Sequence, residues 1–344
     1  MKLALDAMGG DAAPSINLGG AKRSLELLPS VEKIYLVGDE TALERECDAY
    51  GLKGPRIEIA HAPEVVAMEE SGLMAVRQKK HSSMSIAVDL VKDGTCDAVL
   101  SAGNTGAAVA ASTIKLRLLP GVERAGIVTQ LPNEHGVCNV TDTGANPDAK
   151  PSHLVGYAVM ASLLAQYMYN RPHPRVGLMS NGTEECKGNE FTKETLKLLR
   201  RLETEGKLPF DFVGNVEGHD LFDQELDVVL TDGFTGNVLL KTCEATAKTF
   251  SQWLKREVKK SPLRMMGAML MKGAFDTLKK RLSADQTGGS PLLGVNGVSI
   301  IAHGSANETA IFNAVRIAEG MHRHGVNPRI VEAMAAISPL HDVN

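Results

Sequence analysis

Asp97-Ala98-Val99-Leu100-Ser101-Ala102-Gly103-Asn104-Thr105-Gly106 carries three structural signals in ten residues. A short apolar run suits a strand, the Ser-Ala-Gly-Asn step suits a tight turn, and the residues beyond Thr105 adopt helical spacing. Four other stretches end the same way: Asp6-Ala7-Met8-Gly9-Gly10-Asp11, Ser180-Asn181-Gly182-Thr183, Thr231-Asp232-Gly233-Phe234-Thr235-Gly236-Asn237 and His303-Gly304-Ser305-Ala306-Asn307. Each follows an apolar run, and most open a helical pattern. The alternation predicts an α/β fold in which parallel strands are joined by crossover helices.

Strands are predicted at residues 2–5, 33–37, 56–60, 97–100, 126–129, 175–179, 227–230 and 298–302, with hairpin strands around 137–140. Long helices are predicted near 152–169, 191–202, 237–259 and 306–323. No fixed-period repeat or low-complexity tract interrupts them, which argues against a solenoid or a disordered interaction protein. One catalytic α/β domain over 1–335 is expected, with a helical extension at 243–285 and a tail at 336–344. If the sheet is parallel, all five glycine turns lie at its carboxyl edge, where such folds place their ligands.

Composition narrows the function. With 344 residues the chain can bury a large core, its aromatic content is only 4%, and its net charge is −4. Base stacking on nucleic acid and a generally basic surface are both disfavoured. Asp6 interrupts the amino-terminal apolar run, and no stretch of about 20 apolar residues follows, so a cytoplasmic protein is expected. Five widely spaced cysteines, Cys47, Cys96, Cys138, Cys186 and Cys243, form no CxxC pair and predict reduced, mostly buried thiols.

A helix amino terminus presents unpaired N–H groups and partial positive charge, and glycine lets backbone approach an anion closely. A single turn of this kind is explained by a helix cap; five together predict an anion site. The Walker pattern G-x-x-x-x-G-K-[ST] is absent, no G-x-G-x-x-G follows the first strand, and no G-x-S-x-G supplies a nucleophilic serine. If acyl transfer occurs, the nucleophile comes with a substrate.

Leu5-Asp6-Ala7-Met8-Gly9-Gly10-Asp11, Ser101-Ala102-Gly103-Asn104-Thr105-Gly106-Ala107, Leu178-Met179-Ser180-Asn181-Gly182-Thr183-Glu184-Glu185, Lys187-Gly188 and Thr231-Asp232-Gly233-Phe234-Thr235-Gly236-Asn237 together resemble the acyl-ACP:phosphate acyltransferase (PlsX) family of bacterial phospholipid synthesis. The resemblance runs to about Gly325. It implies a three-layer αβα fold similar to isocitrate and isopropylmalate dehydrogenases and phosphotransacetylases, assembled as a homodimer. It also implies that inorganic phosphate attacks a long-chain acyl-ACP thioester, giving acyl phosphate for a membrane glycerol-3-phosphate acyltransferase. No metal or other cofactor is called for.

That reaction needs a cradle for phosphate and donors for an oxyanion. Phosphate is expected on Asn104, Thr105 and Gly106 and on the Thr235–Gly236–Asn237 turn, with Asp6, Gly9, Gly10, Asn181, Gly182, Asp232, Gly233, His303 and Ser305 as further candidates for phosphate or substrate binding. Lys187 is the candidate cation, against the plainer reading of a solvated lysine; Asn237 is the candidate oxyanion or phosphate donor, against a capping amide. For Asp6, Asp11 and Asp232, capping ranks above catalysis, since a carboxylate repels phosphate. His303 and Ser305 suit a hydrogen-bonding pair or a structural histidine. His81, after Lys79 and Lys80, suits a solvated helix start or a face toward the carrier protein. Residues 139–144 with Asn146 and Asp148 superficially resemble a metal cluster, but turn formation explains them with less.

Residues 255–281 hold nine lysines and arginines against Glu257 and Asp276, a net of +7. Among them lies Leu263-Arg264-Met265-Met266-Gly267-Ala268-Met269-Leu270-Met271, and Pro262 is expected to break the helix before it. Lys259, Lys260, Arg264, Met265, Met266, Met269, Leu270, Met271 and Lys272 suit contact with an anionic membrane surface or an acidic carrier protein. A dimer-interface helix is the alternative. Two other functions are open to the sequence: an NAD(P)- and Mg-dependent decarboxylating dehydrogenase, for which no acidic ligand set can be assembled, and a non-catalytic membrane-surface scaffold. No nucleic-acid partner is expected.

Overall fold

Strand and helix alternate along the chain in the computed structural model, which describes residues 1–282 and 284–337; the distal part of the expected tail, 338–344, lies outside the described residues. The first half runs β1 (Lys2–Asp6), α1 (Ser15–Leu27), β2 (Lys33–Gly38), α2 (Glu40–Tyr50), β3 (Ile57–His61), α3 (Gly72–Gln78), α4 (Ser83–Lys92), β4 (Ala98–Ser101), α5 (Thr105–Leu116), β5 (Gly126–Asn133) and β6 (Gly136–Thr141). It continues with α6 (Pro151–Tyr169), β7 (Arg175–Met179), α7 (Glu190–Thr204), β8 (Asp211–Val216), α8 (Asp220–Asp223), β9 (Val228–Leu230) and α9 (Gly233–Val258). Then come α10 (Pro262–Leu270), α11 (Lys272–Leu282), α12 (Ala284–Thr287), β10 (Gly289–Leu293), β11 (Val298–Ala302), α13 (Glu308–Arg323) and α14 (Val326–Ile337).

The eleven strands form one sheet in the order β3-β2-β1-β4-β11-β10-β5-β6-β9-β7-β8. Most neighbours are parallel, as the crossover pattern predicts, but β10 is antiparallel to both β11 and β5, and β5 is antiparallel to β6. The two parallel halves therefore run in opposite directions. This corrects the expectation that all five turns share one edge: those after β1, β4 and β11 leave one edge, and those after β7 and β9 leave the other. The reversal comes from the tight Asn133–Gly136 hairpin and from β10, whose Gly-Ser-Pro start has little strand character in sequence. β8 escaped prediction for a similar reason, since Gly214 and Asn215 interrupt its apolar run.

Burial follows the pleat. Leu3 and Leu5 of β1 enter one core and Ala4 the other; Val228 and Leu230 of β9 face the same side as Leu3, and Val229 the opposite side. One face is covered continuously by α1, α6, α7, α13 and α14. The other is covered in two patches, by α3, α4 and α5 over the first half and by the start of α9 over the second. The interval between those patches is a cleft. Cys47, Cys96 and Cys138 are buried, Cys243 is partly covered and Cys186 is exposed, all as free thiols; burial pushes the Cys96 thiol up to about 12.

Candidate active site

The turns after β1, β4 and β11 are interlocked. Asp6 accepts from Ser101 Oγ at 2.6 Å, Ser101 Oγ accepts from the Gly103 N–H at 3.1 Å, and the Asp11 N–H donates to Gly304 O at 2.8 Å. A Cβ on Gly9 would stand 2.7 Å from Gly103 N, so these glycines allow turn to pack on turn. Burial raises the Asp6 carboxyl above its ordinary range, with the Ser101 hydrogen bond opposing the rise. Asn104 is committed to structure: its amide donates to Ala67, Met68 and Glu70 carbonyls and its oxygen caps α5 at Ala107 N. Gly106 lies where a Cβ on Gly72 would meet its carbonyl carbon at 2.2 Å, so it serves the docking of α3 on α5. Of Asn104, Thr105 and Gly106, only Thr105 lines the cleft cavity.

At the other edge, Asp142 organises the loop after β6. Its carboxylate accepts from the N–H groups of Ile127, Gly144, Ala145 and Asn146 at 2.7–3.1 Å. The residues that superficially resembled a metal cluster are thus engaged in turn formation. α9 starts against this loop: Gly233 N donates to Asn146 O, and a Cβ on Gly236 would stand 2.0 Å from Asp142 O. Asp232 caps α9, accepting from Phe234 N, Thr235 N and Thr235 Oγ1. The helix then crosses the open interval of the sheet, and Lys241 Nζ reaches His303 Nε2 at the far edge, 3.4 Å away.

A cavity of about 580 Å³ lies under that crossing, with Thr105, Thr129, Thr143, Asn237, Lys241, Ser290, His303 and Ser305 among its lining residues. Thr129 Oγ1 is 2.8 Å from both Thr143 Oγ1 and Ser290 Oγ, and Thr143 Oγ1 donates to Ile127 O. With that last proton committed, the chain runs Ser290 to Thr129 to Thr143, and Ser290, at its head, is the hydroxyl able to turn its proton to a bound anion. His303 Nδ1 faces Ser305 Oγ at 2.8 Å and accepts the Ser305 N–H. The Asn237 amide has no hydrogen-bond partner among the described residues, whereas Lys241 is also held by Glu244 at 2.9 Å.

The sequence-predicted residues therefore divide. Thr105, Asn237, His303 and Ser305 meet in the cleft cavity, while Asn181, Asp232 and Thr235 line a second cavity of about 360 Å³ with Ser180, Gly188 and Asn189. Asn181 closes its own loop by accepting the Gly188 N–H at 2.8 Å. Lys187 lies on that loop, exposed, with its aliphatic stem against Gly182 and its ammonium without a partner among the described residues; it lines neither cavity. Lys241, Thr129, Thr143 and Ser290 were missed. A signal for Lys241 existed: Asn237, Lys241, Glu244 and Lys248 fall on one helical face and all line the cavity.

Beyond α9 the chain leaves the body. α10 begins at Pro262, as predicted, and has no buried residue; Met269 is 74% and Leu270 87% exposed. Lys260 and Arg264 both pair with Glu257, at 2.5 and 3.1 Å. Among the described residues, no helix is long and apolar enough to cross a membrane.

Residues 1–329 match the family described as "Fatty acid synthesis protein". The phosphate acyltransferase of Akkermansia muciniphila is 67% identical over 343 residues, covering 100% of this chain and 98% of its own. That of Desulfitobacterium hafniense strain DSM 10664 / DCB-2 is 46% identical over 320 residues, covering 93% of each chain. Among solved structures, a phosphotransacetylase from Streptococcus pyogenes aligns with a TM-score of 0.61 at 15% identity, covering 94% of both chains. EutD phosphotransacetylase from Staphylococcus aureus gives 0.57 at 15%, with the same coverage. Those two likenesses concern the fold. Sequence kinship over the whole chain places this protein in the phosphate acyltransferase (PlsX) family of fatty acid synthesis proteins, a family of acyl-transferring enzymes.

Proposed function

We propose that this chain catalyses attack of inorganic phosphate on the thioester of a long-chain acyl-ACP, releasing acyl phosphate for phospholipid synthesis and free carrier protein. The observation that carries the reading is the convergence, in one cavity, of an unpartnered amide at Asn237, the Lys241 ammonium and the Thr129–Thr143–Ser290 hydroxyls. A phosphate oxygen bonds to the carbonyl carbon, the carbonyl electrons move onto oxygen, and collapse of that intermediate expels the carrier thiolate, which takes a proton from solvent. Phosphate is already an anion at neutral pH, so the site has to hold it and stabilise the oxyanion rather than deprotonate a nucleophile. Lys241 and the Ser290 hydroxyl are assigned to phosphate, Asn237 to the oxyanion. Lys187 is assigned as a counter-charge that draws phosphate toward the cleft.

Residues 255–281 are assigned to an anionic bilayer surface, where a greasy, labile product is consumed by a membrane acyltransferase. Their net charge of +7 and the exposure of the methionine segment support this. The protein would then work in the cytoplasm as a peripherally bound homodimer. Incubation with acyl-ACP and phosphate, followed by trapping acyl phosphate with hydroxylamine, tests the reaction. The intact protein should form product and Asn237→Ala should form it about a hundredfold more slowly, the usual effect of removing one oxyanion donor. No product from the intact protein would overturn the reading.

A further inference from the structure

A second space adjoins the cleft cavity and shares Gln130 and Thr287 with it. It measures about 330 Å³ and lies among β5, the end of α6 and the last turns of α13. Three of its lining residues bring buried polar atoms that lack a hydrogen-bond partner among the described residues: Gln130 Nε2, Tyr169 OH and Glu319 Oε1. The Glu319 side chain is only 6% exposed, and its ion-pair partner Arg323, itself 64% exposed, stands 3.7 Å away, beyond hydrogen-bond reach. Burial of one unsatisfied polar group costs on the order of 1–3 kcal/mol, and a protein rarely leaves three in one place without a ligand or water to meet them.

The chemistry of the three atoms is specific. Gln130 Nε2 donates, and Glu319 Oε1 accepts. Burial pushes the Tyr169 phenol up, with Arg316 opposing, so it stays protonated and able to donate. A secondary amide has the complementary set: a carbonyl that accepts, as Gln130 and Tyr169 require, and an N–H that donates, as Glu319 requires. A free phosphate does not, because Glu319 would repel it. Arg316, Arg323 and His324 complete the lining and suit an anion at the far end of an amide chain.

We infer that this space seats the amide-bearing carrier arm of the thioester substrate, a chain of secondary amides ending in a phosphodiester, with its sulfur directed past Gln130 into the cleft. The inference rests on the acyl-thioester reading above and adds the place where the carrier arm is held. The shared wall at Gln130 and Thr287 is what joins arm and reacting carbon in one ligand.

The test compares two thioesters of one acyl group, on pantetheine 4′-phosphate and on 2-mercaptoethanol, which has no amide. Acyl phosphate formation is followed with intact protein, Tyr169→Phe and Glu319→Leu. In each variant the ratio of kcat/KM for the long-armed over the short thioester should fall roughly fivefold, the effect of one lost hydrogen bond. Arg316→Gln should lower the ratio for phosphorylated over dephosphorylated pantetheine thioester. Unchanged ratios in folded variants, or equal losses on both thioesters, would overturn the inference while leaving the reaction in place. If intact protein makes no product from either thioester, the reaction itself fails. Calorimetric binding of pantetheine 4′-phosphate then decides the subsite: binding that weakens in Glu319→Leu supports it, and no binding, or binding that Glu319→Leu leaves unchanged, overturns it.

Discussion

α6 and α9 are the two longest helices of the described chain, and both are tied to the loop built on Asp142. Asn146 of that loop donates to Tyr157 OH of α6, and its carbonyl accepts from Gly233 of α9. Their fates differ. α6 is buried without interruption from His153 to Ala165, whereas α9 buries only Gly233 and Gly236. A helix buried all round is scaffold; a helix seated by two glycines, with only Leu239, Leu240 and Cys243 packed in part on the core, is free to offer its other side chains to ligands. α9 borders the cleft as far as Lys248, and its remainder carries Phe250 and Trp253 outward, 63% and 57% exposed, toward the basic α10 and α11.

The sharpest way to break the contrast is to put a methyl group at the seat of each helix. Gly236→Ala places a Cβ against Asp142 O and Thr231 Oγ1 and should cost about 3 kcal/mol or more, unseating α9 and abolishing activity. Gly156→Ala in α6 meets only Met334 Cε at 3.7 Å and should instead gain roughly 0.5–1 kcal/mol of helix propensity. Denaturant melts of both variants decide this, and equal losses would mean that the two helices are anchored alike. Next in size is Lys241→Gln, one turn beyond Asn237. It should raise the KM for phosphate roughly tenfold or more by removing a charge-assisted donor, with stability unchanged, since its partners Glu244 and His303 are exposed or half-exposed.

How much of this was legible in the sequence depends on whether a feature is local. Strand, turn and helix were, because they follow from periodicity over a few residues; β7 and β11 fall on the predicted residues 175–179 and 298–302. Sheet direction was not, because it is decided by a two-residue hairpin and by β10, whose Pro291 pairs with Ile300 in the sheet despite a turn-like sequence. The same gap explains the divided site. Glycine turns announce close backbone approach without saying whether a ligand or another turn does the approaching, and Gly9, Gly106, Gly233 and Gly236 are met by protein. Thr129 and Thr143 could not be found from motifs at all. They lie on β5 and just beyond the end of β6, and only the hairpin register brings their hydroxyls within 2.8 Å.

A smaller effect on the fold is expected at the distal end of the same comparison. Leu270→Glu on α10, 87% exposed, should shift stability by less than about 0.5 kcal/mol, since nothing is packed on it. Co-sedimentation with vesicles containing anionic lipid should nonetheless drop, because a carboxylate replaces an apolar contact and cancels part of the basic field. Loss of stability without loss of vesicle binding would place this helix inside an interface between subunits instead.

The smallest expected effect concerns the seat of α6. His153 is buried at its first turn, accepts the Lys150 N–H on Nδ1 at 3.0 Å, and faces Glu123 through Nε2 at 3.3 Å. Burial lowers its pKa from the ordinary 6.5, and Glu123 pulls it back only in part. The folded state therefore prefers the neutral ring. Its contribution is complete above pH 6.5, where the unfolded chain is also neutral, and is lost as pH falls from there through the folded-state pKa, because the unfolded chain takes up the proton first. Stability measured by denaturant between neutral pH and pH 5 should decline for the intact protein, and more gently for His153→Gln, which cannot titrate. Parallel slopes would mean that the seat of α6 holds its shape with His153 charged, and that burial along the rest of the helix is sufficient to keep it in place.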